Sequence, residues 1–327
     1  MPDTRFSVGK LFSRREMLAL GAGIGAAAAL GIAPVFAAAA PLLTRPIPRS
    51  GERLPVVGLG TAIIFDFDSS SDAAKRAERR AVIQTMLDGG ARLIDTAPSY
   101  GRAESTVGDL LSEPGVRDQI FLATKVRATS RRDSCIAEMQ ESLKRLRTNK
   151  LELMQIHNVG GRDRGEIVAQ LALLREWKER GVFRYIGVTH SQDQQGANDW
   201  LIDLMRREKL DFMQVNYSMA ERSVEQRLLA VAAETGTAVL VNLPFARGRL
   251  FRAVQGKQVP AWAAEFDAVS WGQFFLKYVL AQEAVTCVMP GTDKPEYMLD
   301  NLDAGRGRLP DAAMRRKMVE FLSALSV

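Results

Sequence analysis

Four side chains of the kinds that move protons stand where apolar runs of the sequence end: Asp95, Tyr100, Lys125 and His157. A free tyrosine has a pKa of about 10, which makes it a reluctant acid at neutral pH. A nearby ammonium favours the phenolate and lowers that value. Similar positions carry Asn158, Thr189, His190, Gln214, Asn216 and Asn242, and then Gly291 with Thr292. So many polar groups at one end of apolar runs would cost free energy if merely buried, whereas facing a shared pocket they make sense. Singly, each proton-handling residue has a plain structural role open to it. Asp95 could cap a loop, Tyr100 could pack on a rim, Lys125 could be a solvated lysine and His157 a hydrogen-bonded strand-end residue. Together and in this order they describe a converging acid–base site.

The runs that must position them lie at 56–60, 92–96, 120–126, 151–157, 185–189, 212–217, 238–243 and 286–289, after a polar opening at 45–54. Each is rich in Val, Ile, Leu or Phe and short enough for a buried strand. Between them, 74–88, 133–146, 165–180, 199–208, 223–235 and 270–282 read as amphipathic helices. Ile136, Met139, Leu143 and Leu146, for example, recur at helical spacing among Glu, Lys and Arg. Eight strands alternating with helices over about 270 residues predict an α/β chain folded as a single (β/α)8 TIM barrel, usually ~250 residues long. A doubly wound open sheet would carry G-x-G-x-x-G after its first strand. Gly58-Leu59-Gly60-Thr61-Ala62-Ile63 lacks the third glycine. In a barrel, the chemistry sits on the loops after the strands' carboxyl ends, which is where the polar residues fall.

The segment Leu93-Ile94-Asp95-Thr96-Ala97-Pro98-Ser99-Tyr100-Gly101, followed by Glu104, resembles the signature of the aldo-keto reductases. Ala123-Thr124-Lys125 and Met154-Gln155-Ile156-His157 resemble two further family motifs, in the same order. Ile186-Gly187-Val188-Thr189-His190, Gln214-Val215-Asn216-Tyr217 and Pro290-Gly291-Thr292 through Asn301 extend the likeness to roughly residues 51–302. The resemblance implies reduction of a small aldehyde or ketone. Nicotinamide would supply the hydride and Tyr100 the proton, with Lys125 as the ammonium beside the phenol and Asp95 holding Lys125 charged and oriented through a salt bridge. His157 would give a hydrogen bond to the substrate oxygen, or else a proton relay. It also implies a cofactor site made by Gly60, Thr61, Thr189, His190, Gln214, Asn242, Pro244, Phe245, Arg247, Gly291, Thr292 and Asn301. NADPH is the expected cofactor, with NADH possible. His190 reads equally as a contact to the nicotinamide carboxamide and as a plain rim residue.

The sequence departs from many relatives at that site. Asn242 stands where an aromatic ring usually stacks on nicotinamide, and an amide offers less area. Gly291 and Tyr297 stand where Lys and Arg usually hold the 2′-phosphate of NADPH, with Lys294 and Arg247 as the nearby cations. These departures leave a second reading open, a barrel that binds nicotinamide cofactor as a redox sensor without turnover.

Composition narrows the remaining classes. The 327 residues are 46% hydrophobic and 25% charged, which excludes disordered, collagen-like and coiled-coil chains. Two cysteines, Cys135 and Cys287, make no disulfide framework and lack zinc spacing, and two histidines speak against a multi-His metal centre. A net charge of +6 without basic clusters interleaved with aromatics speaks against nucleic acid as a partner. Residues 1–40 differ in kind from 41–327. A basic head with Ser13-Arg14-Arg15-Glu16-Met17-Leu18 precedes an uncharged Ala/Gly-rich stretch that includes Val35-Phe36-Ala37. That order reads as an export signal, with an uncleaved transmembrane anchor as the other reading of so long an uncharged stretch. The paired arginines resemble a twin-arginine signal, read by the twin-arginine translocation machinery. Cleavage after Ala37 would leave a barrel of net charge +4 in the periplasm, without stable membrane insertion.

Overall fold

In the computed structural model, residues 40–191 and 196–325 are described. The expected export segment and its Val35-Phe36-Ala37 cleavage site lie outside the described residues. Each apolar run becomes a strand because its alternate side chains are buried on both faces, inward to the barrel and outward under helices. The strands are β3 (Leu59–Gly60), β4 (Leu93–Asp95), β5 (Phe121–Arg127), β6 (Leu151–His157), β7 (Phe183–His190), β8 (Phe212–Asn216), β9 (Ala238–Asn242) and β10 (Val285–Val288). They pair in sequence order, all parallel. The sheet closes on itself, since Gly58 N donates to Val288 O (2.8 Å), Val288 N to Val56 O (2.9 Å) and Gly60 N to Pro290 O (3.2 Å). The seam needs glycine, because a Cβ on Gly60 would sit 2.9 Å from Met289 O. This is the (β/α)8 barrel expected from the sequence.

The outer ring runs α1 (Ala73–Asp88), α2 (Ala103–Leu111), α3 (Arg132–Arg145), α4 (Arg164–Glu179), α5 (Ala197–Arg207), α6 (Leu228–Thr235), α7 (Arg249–Ala253), α8 (Trp271–Leu280), α9 (Pro295–Ala304) and α10 (Ala312–Leu325). Asp72, Asp163 and Ser270 cap α1, α4 and α8, each accepting from a first-turn amide. The helix expected over 223–235 starts only at Leu228, with a 3-10 turn at Ser223–Glu225 before it. The interruption has a cause in packing. Glu225 Oε1 is drawn into a cluster that takes the hydroxyls of Tyr217 (2.6 Å) and Tyr278 (2.8 Å) and the guanidinium of Arg315 on α10 (2.7 Å).

The polar opening is a second departure from expectation. It folds as a hairpin of β1 (Thr44–Pro46) and β2 (Arg53–Pro55), separate from the barrel sheet. Ile47 and Leu54 join a buried cluster with Phe121, Tyr185 and Phe212 at the amino ends of the strands. Arg45 fastens the hairpin by donating to the carbonyls of Leu280, Gln282 and Val285. Among the described residues no helix is long and apolar enough to cross a membrane.

Candidate active site

Strand alternation decides which side chains reach the barrel interior. Leu93, Ala123, Leu153 and Leu240 belong to the inner apolar cluster, so Asp95, Lys125, Gln155 and Asn242, two residues on, share their face nearer the carboxyl ends. His157 follows Gln155 by the same step. Lys125 Nζ donates to Asp95 Oδ2 at 2.6 Å and to Thr96 O at 2.9 Å, with no side-chain exposure. Gln155 Nε2 donates to the other oxygen, Asp95 Oδ1, at 3.3 Å. Burial alone would push the Lys125 ammonium down, but Asp95, and then Tyr100, outweigh it and hold its pKa above the usual lysine value. The ammonium lies 4.9 Å from the centre of the Tyr100 ring. That ring meets His157 edge-on, with centroids 6.0 Å apart.

The expected four residues therefore come together as one stack. Burial, and then the Lys125 charge, push the His157 imidazole down to about 3. Its ring is neutral across the ordinary pH range and can donate from one nitrogen. Ser99 Oγ lies 3.4 Å from His157 Nδ1, so one ring nitrogen faces the loop that carries Tyr100.

The loop after β6 is laced to the end of β7. Asn158 adopts φ +55°, its amide donates to Thr189 Oγ1 (3.1 Å), and its Oδ1 accepts from the Ser191 amide (3.0 Å) and hydroxyl (2.8 Å). Gly160 N donates to His190 Nδ1 at 3.2 Å. Thr189 and His190 thus support the loop that follows His157. Thr61 is similarly engaged, donating from Oγ1 to Asp95 O at 3.0 Å beside the Gly60 seam.

The remaining expected cofactor residues fall on the ends of β8, β9 and β10 and beyond. Asn216 and Asn242 are partners in register, and Oδ1 of each is buried without a hydrogen bond. Gln214 Nε2 rests 3.7 Å from Met289 Sδ, a weak acceptor. Buried acceptors without donors fit a ligand that brings an amide, as the nicotinamide carboxamide does. After β9, Leu243, Ala246 and Arg247 all have positive φ (52°, 48° and 53°), with buried Pro244 and half-buried Phe245 between them. Phe245 packs against Phe251 at 4.8 Å. Backbone strain of this kind in non-glycine residues persists where surrounding structure enforces it, commonly at ligand sites. Arg247 is exposed, as is Gly291, while Thr292 and Asn301 are buried at α9. The Lys294 ammonium lies 5.5 Å from the centre of the exposed Tyr297 ring.

Sequence reasoning overlooked several contacts. Gln155 holds Asp95, and its signal was the two-residue step from His157. Thr96 lends a carbonyl to Lys125, which leaves no trace in residue type. Cys135 and Cys287 are both buried and free. Among the described residues no cluster could hold a metal ion.

Residues 56–317 match the profile described as the aldo/keto reductase family. An aldo-keto reductase of Bacillus subtilis is 31% identical over 234 residues, covering 68% of this chain and 66% of that protein. A methylglyoxal reductase of Escherichia coli is 29% identical, over 72% of this chain and 80% of its own. A crystal structure of an aldo/keto reductase from Klebsiella pneumoniae, in complex with NADP and acetate, superposes with a TM-score of 0.69 at 23% identity. It covers 83% of this chain and 93% of the other.

Proposed function

The chain belongs to the aldo/keto reductase family, and from that premise we propose that it reduces an aldehyde or ketone to the alcohol with NADPH or NADH, Tyr100 giving the proton. The observation that carries this reading is the buried Asp95–Lys125 pair with its ammonium against the Tyr100 ring. A nicotinamide cofactor, when bound, would supply hydride for the carbonyl carbon. Every other part of the reaction falls to this chain's side chains.

Tyr100 donates its hydroxyl proton to the carbonyl oxygen as that oxygen gains charge. Lys125 stabilises the phenolate left behind, and Asp95, braced by Gln155, keeps the lysine charged in a place where burial opposes it. His157, neutral beside that ammonium, acts as hydrogen-bond donor to the carbonyl oxygen and orients it. A relay through His157 would have to protonate a ring whose pKa is about 3, so the donor role is favoured over the relay. Gln214 and Asn242 offer an amide donor and a partnerless acceptor to the carboxamide. Thr292, Asn301 and Lys294 would receive the adenosine end. NADPH is the expected cofactor, with NADH open because Gly291 and Tyr297 offer no cation for a 2′-phosphate. A non-turnover sensor has no need of four proton-handling groups in contact.

Methylglyoxal is the first substrate to try, given the name of the Escherichia coli relative. The twin-arginine-like head further suggests that the barrel folds, with cofactor loaded, before export to the periplasm. Cell fractionation tests that part, and full-length protein confined to the cytosol would overturn it. The function itself is tested by NADPH and NADH oxidation with methylglyoxal and a panel of simple aldehydes. Turnover with either cofactor is the expected result, and none with both would contradict the proposal.

A further inference from the structure

We propose that Glu104 is the positioning residue for the Tyr100–Lys125 pair, an inference that rests on the proton-donor role given to Tyr100 above. Glu104 is completely buried, yet it touches neither Asp95, Lys125 nor His157 among the contacts described. Its carboxylate instead gathers donors from two neighbouring elements. Oε1 accepts from Thr124 Oγ1 on β5 at 2.6 Å, and Oε2 accepts from Arg145 Nε at 2.7 Å and Ser142 Oγ at 3.3 Å, both on α3.

The location of those partners gives the carboxylate its effect. Thr124 is the chain neighbour of Lys125. Because β5 alternates, Lys125 points into the barrel while Thr124 points out towards α2 and α3. Glu104 sits in the first turn of α2, which grows directly from the turn that presents Tyr100: Tyr100 N donates to Ala97 O and Ala103 N to Tyr100 O, both at 3.1 Å. The Glu104–Thr124 bond therefore ties the segment bearing the phenol to the strand bearing the ammonium, from behind.

One helical turn on, Gly108 locks the same face. A Cβ there would lie 2.2 Å from Arg145 O, so α2 meets the end of α3 backbone to backbone. The helix cannot slide to make good a lost tether without breaking that contact. A short, charge-assisted bond between buried groups is suited to fixing a distance. The distance it fixes is the 4.9 Å between Lys125 Nζ and the Tyr100 ring centre.

The test compares Thr124→Val, which removes the hydroxyl and keeps the volume, with Thr124→Ser, which keeps the hydroxyl. Glu104→Gln removes the charge from the same tether while leaving it an acceptor oxygen. Each full-length protein is assayed for kcat, KM for methylglyoxal and NADPH affinity by fluorescence. Thr124→Val should lower kcat roughly tenfold or more, because small misplacements of reacting groups are that costly, and Glu104→Gln should lower it by less. KM and NADPH affinity should stay within about twofold, the change being confined to a step after binding. Thr124→Ser should restore kcat. A wild-type kcat in folded Thr124→Val overturns the proposal. So does a loss of kcat matched by an equal loss of NADPH affinity or rise in KM, or one that Thr124→Ser shares. A Tyr100→Phe control with undiminished turnover would instead overturn the proton-donor reading on which this one stands, so the two failures are distinguishable.

Discussion

The two ends of the barrel interior are built from the same strands and obey opposite rules. At the amino end, Phe121, Tyr185 and Phe212 pack ring to ring at 5.5–5.9 Å, and the hairpin seals them with Ile47 and Leu54. At the carboxyl end, a lysine four residues beyond Phe121 on β5 is fully buried on a carboxylate, and the histidine that ends β6 is held neutral by its surroundings. Buried acceptors there have no donors, and the loop after β9 holds non-glycine residues at positive φ. One end gives up polar function for packing, and the other gives up stability for preorganised charge. A fold that separates the two along each strand can change its mouth without losing its floor.

The largest effect should come from replacing the buried pair at the mouth. Asp95→Leu with Lys125→Met is expected to lower kcat by roughly 10²–10⁴-fold, the usual worth of a positioned acid and its activation. Thermal stability should hold or rise, because apolar replacement of a complete buried ion pair is often neutral or stabilising. A double variant that melts several degrees earlier would break the comparison. Next, Phe212→Ala at the floor should cost about 3–5 kcal/mol by chemical denaturation. Its kcat below the melting transition should match wild type; a kcat that falls with it would show the two ends to be coupled.

A smaller effect is expected in acid. The His157 pKa lies at about 3 in the fold, below its ordinary value near 6.5. Between those values the unfolded chain binds a proton that the native site refuses, so stability contributed by the neutral ring falls as pH drops through that window. Denaturation midpoints of His157→Gln should therefore decline less steeply than wild type from about pH 6.5 down to about pH 3. Parallel curves would show that the ring is not held neutral. Smallest of all, Arg247→Gly should raise stability by about 1 kcal/mol, since glycine removes the cost of a positive φ. A loss of stability there would mean that the loop is relaxed rather than strained.

The mouth was more legible in the sequence than the floor. Asp95, Lys125 and His157 stand at the ends of apolar runs, with Tyr100 in the turn that follows one, and polar type at a strand end is visible without coordinates. The hairpin was hidden because only Ile47 and Leu54 are large apolar residues between Thr44 and Pro55, too few for a period to show. Helix α2 was missed for a related reason. Its sequence, AESTVGDLL, has Gly108 and Thr106 where a sequence pattern expects strong helix formers, and both are spent on close packing against neighbouring elements. The break before Leu228 was equally unreadable, since Glu225 finds its tyrosine and arginine partners only through the fold.

The central claim, that the mouth reduces carbonyls through Tyr100, is tested most directly by removing one oxygen atom. Tyr100→Phe should leave NADPH binding and the melting temperature near wild type, while methylglyoxal reduction falls at least a hundredfold, in line with the loss of a positioned acid. Reduction at the wild-type rate by Tyr100→Phe would contradict the account.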